Sequence, residues 1–358
     1  MEAKHDRTMK RIFLMINCIL LATGATGGPL IIRLYFIHGG NSVWLSSFLQ
    51  AAGFPIILIP LFISYIIRHR QITSIPHSST LKMVTMKLTL FLYSTIIGVI
   101  VGLDNYLYSY GVSRLPVSTA ALIVASQLAF TAIFAFFLVK QKFTAYSMNA
   151  VVLLTLGAGV LALHTNADRP TGESSKTYVM GFVLTLVAAV LYGFILPLVE
   201  FSYSKGKQAI TYTLVLEIQL VMCFFASLFC LIGMIINKDF QSISREKNHY
   251  GLGEAAYYAV LVGSAIIWQI NFLGAVGVIF CSSSLLCGVV TALMVPITQV
   301  LAVIFYKEKF NVEKGVSLVL SIWGFVSYFY GEFKQAKKMK MKPTLANELP
   351  QNQSITNP

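Results

Sequence analysis

From Ala255 to Tyr306 the chain runs for 52 residues without a charged side chain. Water tolerates no such surface, and a bilayer core requires only about 20 apolar residues per spanning helix. One stretch therefore holds two spans, with Gly274 and Gly277 placed near the turn between them. Further windows of spanning length fall near 12–32, 43–67, 86–109, 116–139, 145–163, 178–199, 211–236 and 315–331, making ten with 255–276 and 280–306. Overall, 56% of residues are apolar and 11% are charged, against about 25% charged in soluble domains. The expected fold is an all-α integral membrane protein.

The chain also repeats itself. Asn105-Tyr-Leu, Gly111-Val and Lys140-Gln-Lys-Phe143 return as Asn271-Phe-Leu, Gly277-Val and Lys307-Glu-Lys-Phe310, offset by 166 and then 167 positions. Gly157 and Gly324 each lie 14 residues beyond the matching Phe. Such duplication in an apolar chain is a transporter signature. Five spans per copy is an odd number, so the second copy is expected upside down relative to the first. The organisation reads as a tail at 1–11, a five-helix repeat over 12–163, a loop at 164–177, a second five-helix repeat over 178–333 and a basic, then disordered, tail over 334–358.

Orientation follows the Lys/Arg bias. Lys4, Arg7, Lys10 and Arg11 before the first span agree with Lys334, Lys337, Lys338, Lys340 and Lys342 after the last, so both termini are expected in the cytosol. The net charge of +13 is dispersed over tails and short loops without a basic, aromatic-interleaved face, which excludes a nucleic-acid reader. The Lys334–Lys342 cluster reads as a topology signal or as a contact for anionic lipid. Residues 71–82 and 164–177 are polar loops, 343–358 is a Pro/Asn/Gln tail, and the Asn352-Gln-Ser354 sequon lies on the cytosolic side of this topology. The first span is read as retained, not as a cleaved signal.

No GxSxG, HExxH, Walker loop or His/Asp cluster is present, and no cofactor or metal is expected. Cys18, Cys223, Cys230, Cys281 and Cys287 all fall in apolar spans and read as packing residues.

Polar groups at membrane depth are costly and mark function. The acidic ones are Asp104 and Glu217, with Glu200 at a span end. A carboxyl without a basic partner in hydrocarbon favours its protonated form, so Asp104 and Glu217 are the candidates for coupling transport to a proton gradient. The amides are Gln50, Asn105, Gln127, Gln219, Gln269, Asn271 and Gln299. Amides both donate and accept, which suits a neutral heterocycle with ring nitrogens and amino groups; sugars could use the same groups. Trp44, Tyr106, Tyr108 and Trp268 beside them favour a flat ring by stacking. The candidate substrate residues are Gln50, Asn105, Tyr108, Gln127, Trp268, Gln269, Asn271 and Gln299. The same side chains can serve as interhelical glue or interfacial anchors, Trp44 above all as an anchor. Pro29, Pro55, Pro60, Pro197 and Pro296 interrupt spans, and Gly98-Val-Ile-Val-Gly102 offers a small face for close helix approach.

Asp104-Asn-Tyr-Leu-Tyr-Ser-Tyr-Gly111, Leu115-Pro-Val-Ser-Thr119, Gln127-Leu-Ala-Phe130, Phe136–Phe143 and Glu313–Glu332 together resemble the plant purine permeases over nearly the whole chain. Gly27-Gly-Pro29, Leu196–Glu200 and Leu216-Glu-Ile-Gln219 fit the same family. The resemblance implies a drug/metabolite transporter-like fold of ten helices and proton-coupled uptake of adenine, related nucleobases, cytokinins and purine-like alkaloids; the plasma membrane is the expected location. Where many relatives read Leu-Pro-Val-Thr-Glu, this chain has Val295-Pro-Ile-Thr-Gln299; if that site assists proton coupling in the family, coupling here rests on Asp104 or Glu217 or is weakened, and the alternative is a shift in substrate preference. Alternatives are an organellar exchanger of nucleotide sugars or another metabolite, and a non-transporting receptor for the same ligands.

Overall fold

A computed structural model describes residues 2–73, 85–115, 120, 123–124, 126–162, 175–206, 208–306 and 312–346. Among these the regular structure is entirely helical: α1 (Glu2–Ile37), α2 (Val43–Ala52), α3 (Pro55–Thr73), α4 (Leu88–Arg114), α5 (Gln127–Val139), α6 (Ala145–Ala162), α7 (Ser175–Lys205), α8 (Tyr212–Asn237), α9 (Asp239–His249), α10 (Glu254–Cys281), α11 (Ser284–Tyr306) and α12 (Val312–Ala346). Helices close every backbone hydrogen bond within one segment, which hydrocarbon demands. Among the described residues eight helices are long and apolar enough to cross a membrane, and Gln127–Val139 and Ala145–Gly157 are shorter apolar helices. The expected start of a span at residue 116 lies largely outside the described residues, as do the Lys307–Phe310 loop, most of the loops at 71–82 and 164–177, and the tail beyond residue 346, Asn352 included.

Large apolar side chains cover the outside. Phe137, Ile236, Trp323 and Phe333 are among the exposed ones. Meanwhile Gln50, Asp104, Asn105, Gln269, Asn271 and Gln299 are buried. A soluble protein does not leave apolar surface so extensive, and a bilayer inverts that preference. The chain is a multi-pass membrane protein.

Three elements differ from the sequence reading. The window 43–67 is two helices, because Pro55 cannot donate to the α2 ladder and instead opens α3 as its first residue. Gly274 and Gly277 are not at the turn after the eighth window; α10 continues through them to Cys281. Their missing side chains serve packing against α1. A Cβ on Gly277 would collide with the Asn17 amide, and one on Gly274 with the backbone of Leu21. The third is α9, a polar helix between α8 and α10 whose Asp239 and Glu246 are buried despite their charge.

Those acids hold the start of α2. Glu246 accepts from Tyr35 Oη at 2.7 Å, Ser42 Oγ at 2.8 Å, Asn41 N at 3.0 Å and Tyr257 Oη at 3.0 Å. Asp239 lies beside the backbone N–H groups of Trp44 and Leu45. Burial raises its carboxyl above the ordinary value, while the Asn237 amide and those N–H groups act the other way.

One helix crossing pairs positions that lie 167 apart in the chain. On α6, Gly157 meets Leu320, Ser317 and Ser321 of α12; on α12, Gly324 meets Leu154, Ala150 and Leu153 of α6. Positions 317, 320 and 321 are 150, 153 and 154 displaced by 167, so the contact is its own mirror in sequence. Likewise Gly111 of α4 abuts Thr185 of α7, while Gly277 of α10 abuts Asn17 of α1. Gly98 and Gly102 let α4 approach α8, where a Cβ would come within 2.5 Å of Met222 O and 2.9 Å of Phe229 Cδ1 respectively. The main buried core runs through Leu21, Ile97, Val101, Ile218, Val278 and Val289, and a second cluster around Tyr35, Leu45 and Tyr257 lies beneath α9.

Candidate functional site

Several of the polar groups at membrane depth line one cavity of about 100 Å³. Its wall takes Ala25 and Pro29 from α1, Gln50 from α2, Asp104, Asn105, Tyr108 and Val112 from α4, Gln127 from α5, Ala188, Ala189 and Tyr192 from α7, Trp268, Asn271 and Phe272 from α10, and Thr291, Val295 and Thr298 from α11. Ala120 and Val124, just before α5, complete it. The wall is mainly apolar with a few convergent polar groups, the usual constitution of a small-molecule site.

Local sequence explains why these helices can open a cavity. Pro29 has no N–H to give the carbonyl of Ala25, one turn earlier, and both residues are in the wall. Asp104, Asn105 and Tyr108 lie within about one turn of α4, and Trp268 and Asn271 three apart on α10. Ala188 and Ala189, small side chains about one turn before Tyr192 on α7, line the cavity with it.

Hydrogen bonding is uneven around the wall. Gln50 Nε2 donates to Ser109 Oγ at 2.7 Å and to the Asn105 carbonyl at 3.3 Å, tying α2 to α4. By contrast Asp104 Oδ1, Asn105 Nδ2, Trp268 Nε1 and Asn271 Oδ1 are buried and have no protein partner. Tyr108 meets the Trp268 ring edge to face, 5.8 Å between centroids at 71°. The hydroxyls of Tyr108 and Tyr192 lie within the electrostatic reach of Asp104, and the Tyr192 hydroxyl lies beside the Asn271 amide. A buried polar group without a partner costs about 1–3 kcal/mol, and four such groups line this one cavity.

Of the residues singled out in the sequence, Asp104, Gln50, Asn105, Tyr108, Gln127, Trp268 and Asn271 share this cavity. Gln269 and Gln299 are buried and unpartnered but lie outside its wall, one position beyond Trp268 and Thr298. A step of one residue turns a helical side chain by about 100°, toward neighbouring helices instead of the cavity; the Gln269 Cβ accordingly sits against Gly53.

Glu217 is also outside the wall. Its carboxylate accepts from Thr85 N at 3.0 and 3.2 Å, Thr85 Oγ1 at 2.9 Å and Met86 N at 3.0 Å, fastening the chain entering α4. Glu200 accepts from Ser284 N at 2.7 Å, at the first residue of α11. Trp44 and Tyr106 stack on each other at 4.0 Å, away from the cavity.

Sequence reasoning missed Tyr192, Thr291 and Thr298. Tyr192 could have been found, since it stands in the middle of its span, where an interfacial anchor has no use. The five cysteines are free; Cys223, Cys230 and Cys287 are buried, and Cys18 and Cys281 half-buried. Among the described residues no cluster of three His, Cys, Asp or Glu could hold a metal.

A family model for purine nucleobase transmembrane transport matches residues 12–338. Purine permease 3 of Arabidopsis thaliana is 53% identical over 350 residues, covering 98% of this chain and 99% of the relative. Purine permease 2 of the same plant is 51% identical over 353 residues, covering 96% and 98%. A solved crystal structure superposes with a TM-score of 0.60 over 90% of this chain and 96% of its own, at 12% identity, which is a likeness of fold alone. Matched from end to end by permeases at more than half identity, the chain belongs to the purine nucleobase transport family and is a transporter, not an enzyme.

Proposed function

We propose that this protein imports adenine-like nucleobases and purine derivatives such as cytokinins, coupled to protons, by alternating access. The observation that carries the reading is the apolar cavity with Asp104, Asn105, Trp268 and Asn271 on its wall, each with a buried polar atom the protein leaves unpartnered. A purine is flat, neutral and edged with donors and acceptors, so it can satisfy amides and indole without bringing a charge into the bilayer. A phosphate-bearing nucleotide sugar would need cations, and among the described residues the wall holds no Lys or Arg.

Asp104 is the proton carrier in this proposal, since among the described residues it is the only carboxyl in the wall. Glu217, whose oxygens already accept four hydrogen bonds from Thr85 and Met86, is assigned to holding α4 in place. Gln50, Asn105, Tyr108, Gln127, Trp268 and Asn271 are the substrate contacts.

The ten apolar segments are proposed as two inverted repeats of five spans, with both termini cytosolic and the plasma membrane as the site of action. Reciprocal contacts at Gly157 and Gly324 support the symmetry. Cavity residues come from both copies, so rocking one against the other exposes the site alternately to each side.

The test is uptake of labelled adenine by cells lacking their own purine carriers, at acidic and neutral external pH, with and without an uncoupler. Concentrative uptake that rises in acid and collapses with the uncoupler is expected. Saturable binding by surface-localised protein without accumulation would overturn the transport mechanism.

A further inference from the structure

Four wall residues offer unpartnered atoms, but only one has a fixed hydrogen-bonding polarity. Asn105 and Asn271 can exchange donor for acceptor by turning their amides. The Asp104 carboxyl gains a donor whenever it is protonated. Trp268 Nε1 is a donor only, in every protonation state and rotamer. Whatever fills the cavity must therefore present a lone pair there or leave the indole N–H unsatisfied.

The indole is also held too firmly to be a free stacking platform. Tyr108 meets it edge to face and Phe272 lies 6.3 Å away at 39°. On the α1 side its six-membered ring packs on Gly28, where an added Cβ would come within 2.9 Å of Cε2 and 3.0 Å of Cζ2. Cε2 is the atom bonded to Nε1, so the absence of a side chain at residue 28 fixes where the donor stands.

We infer that Trp268 reads an unprotonated ring nitrogen of the transported heterocycle through its indole N–H, with Gly28 as the residue that positions it. This rests on the cavity being the purine site. It adds a selection rule: heterocycles with a bare sp² nitrogen at that edge are taken, while those with C–H or N–H there are refused, since they leave a buried donor unpaired and press a second hydrogen against it.

The experiment measures binding of adenine and of deaza-adenines, in which one ring nitrogen at a time is replaced by C–H, to purified full-length protein in detergent. Wild-type protein is expected to bind one of these analogues roughly five- to a hundredfold more weakly than adenine. Trp268→Phe keeps an aromatic ring against Tyr108 and removes the donor, so the penalty for that same analogue should vanish while adenine itself binds more weakly. Gly28→Ala, which displaces the indole edge without deleting it, should shrink the same penalty and serves as the second variant if the first does not fold. Equal binding of every analogue by wild type, or an unchanged penalty in the variants, would overturn the inference. Wild-type protein that binds no adenine at all would remove the purine reading beneath it, a different result from adenine binding without discrimination.

Discussion

Asn105 on α4 and Asn271 on α10, 166 positions apart in the chain, line the same cavity, and each leaves one amide atom without a protein partner. Each opens the recurring Asn-aromatic-Leu motif. One repeated position thus supplies polar groups to the same cavity from two different helices.

Replacing Asp104 with Asn removes the titrating group from the wall while keeping its size. Uptake by Asp104→Asn should lose its stimulation by external acid and its sensitivity to an uncoupler, with facilitated equilibration remaining. Uptake that still rises in acid to the wild-type degree would move proton coupling elsewhere.

Glu217→Gln should behave in the opposite way. The amide accepts on one oxygen only, so the clamp on Thr85 and Met86 weakens by about 1–3 kcal/mol. Thermal unfolding in detergent should come earlier, while the ratio of acid to neutral uptake stays as in wild type.

Gln50 joins α2 to α4 through Ser109 and the Asn105 carbonyl, and Leu at that position cannot donate to either. The KM of Gln50→Leu for adenine should rise roughly tenfold, with membrane levels maintained. An unchanged KM would place the substrate away from this corner.

At Gly277 any side chain meets the Asn17 amide of α1. Overpacking at such a crossing costs about 1–3 kcal/mol or more. Gly277→Val should accumulate poorly and elute as aggregate on size exclusion, whereas Gly159→Val, at a site with open space around its Cβ position, should not.

Glu246→Ala would leave the hydroxyls of Tyr35 and Tyr257 and the Ser42 side chain without their shared acceptor. A loss of about 2–4 kcal/mol follows from breaking several charge-assisted bonds at once. Limited proteolysis near α9 should then report release of the α1–α2 connection well below the wild-type unfolding temperature.

The medium and the helical class were legible because both follow from counting. A 52-residue uncharged run has one tolerable environment, and only helices and closed barrels are admissible there. The site was half legible. Asp104, Asn105, Trp268 and Asn271 stood out because polar residues at membrane depth are expensive. That criterion gave Gln269, Gln299 and Glu217 the same weight, although none of them lies in the cavity wall.

What the sequence determined by itself was therefore the solvent, the helices, the recurring motifs, and a short set of costly polar residues. It could do so because hydropathy and repetition are properties of the chain alone. Which of those residues meet, that Gly274 and Gly277 are helix crossings instead of a turn, that two acids of α9 grip α2, and that Gly28 seats the Trp268 indole were decided only in three dimensions. Each depends on the rotation of one helix against another. A step of about 100° per residue separates a cavity wall from a packed interface, and no count along a single strand of sequence carries that angle.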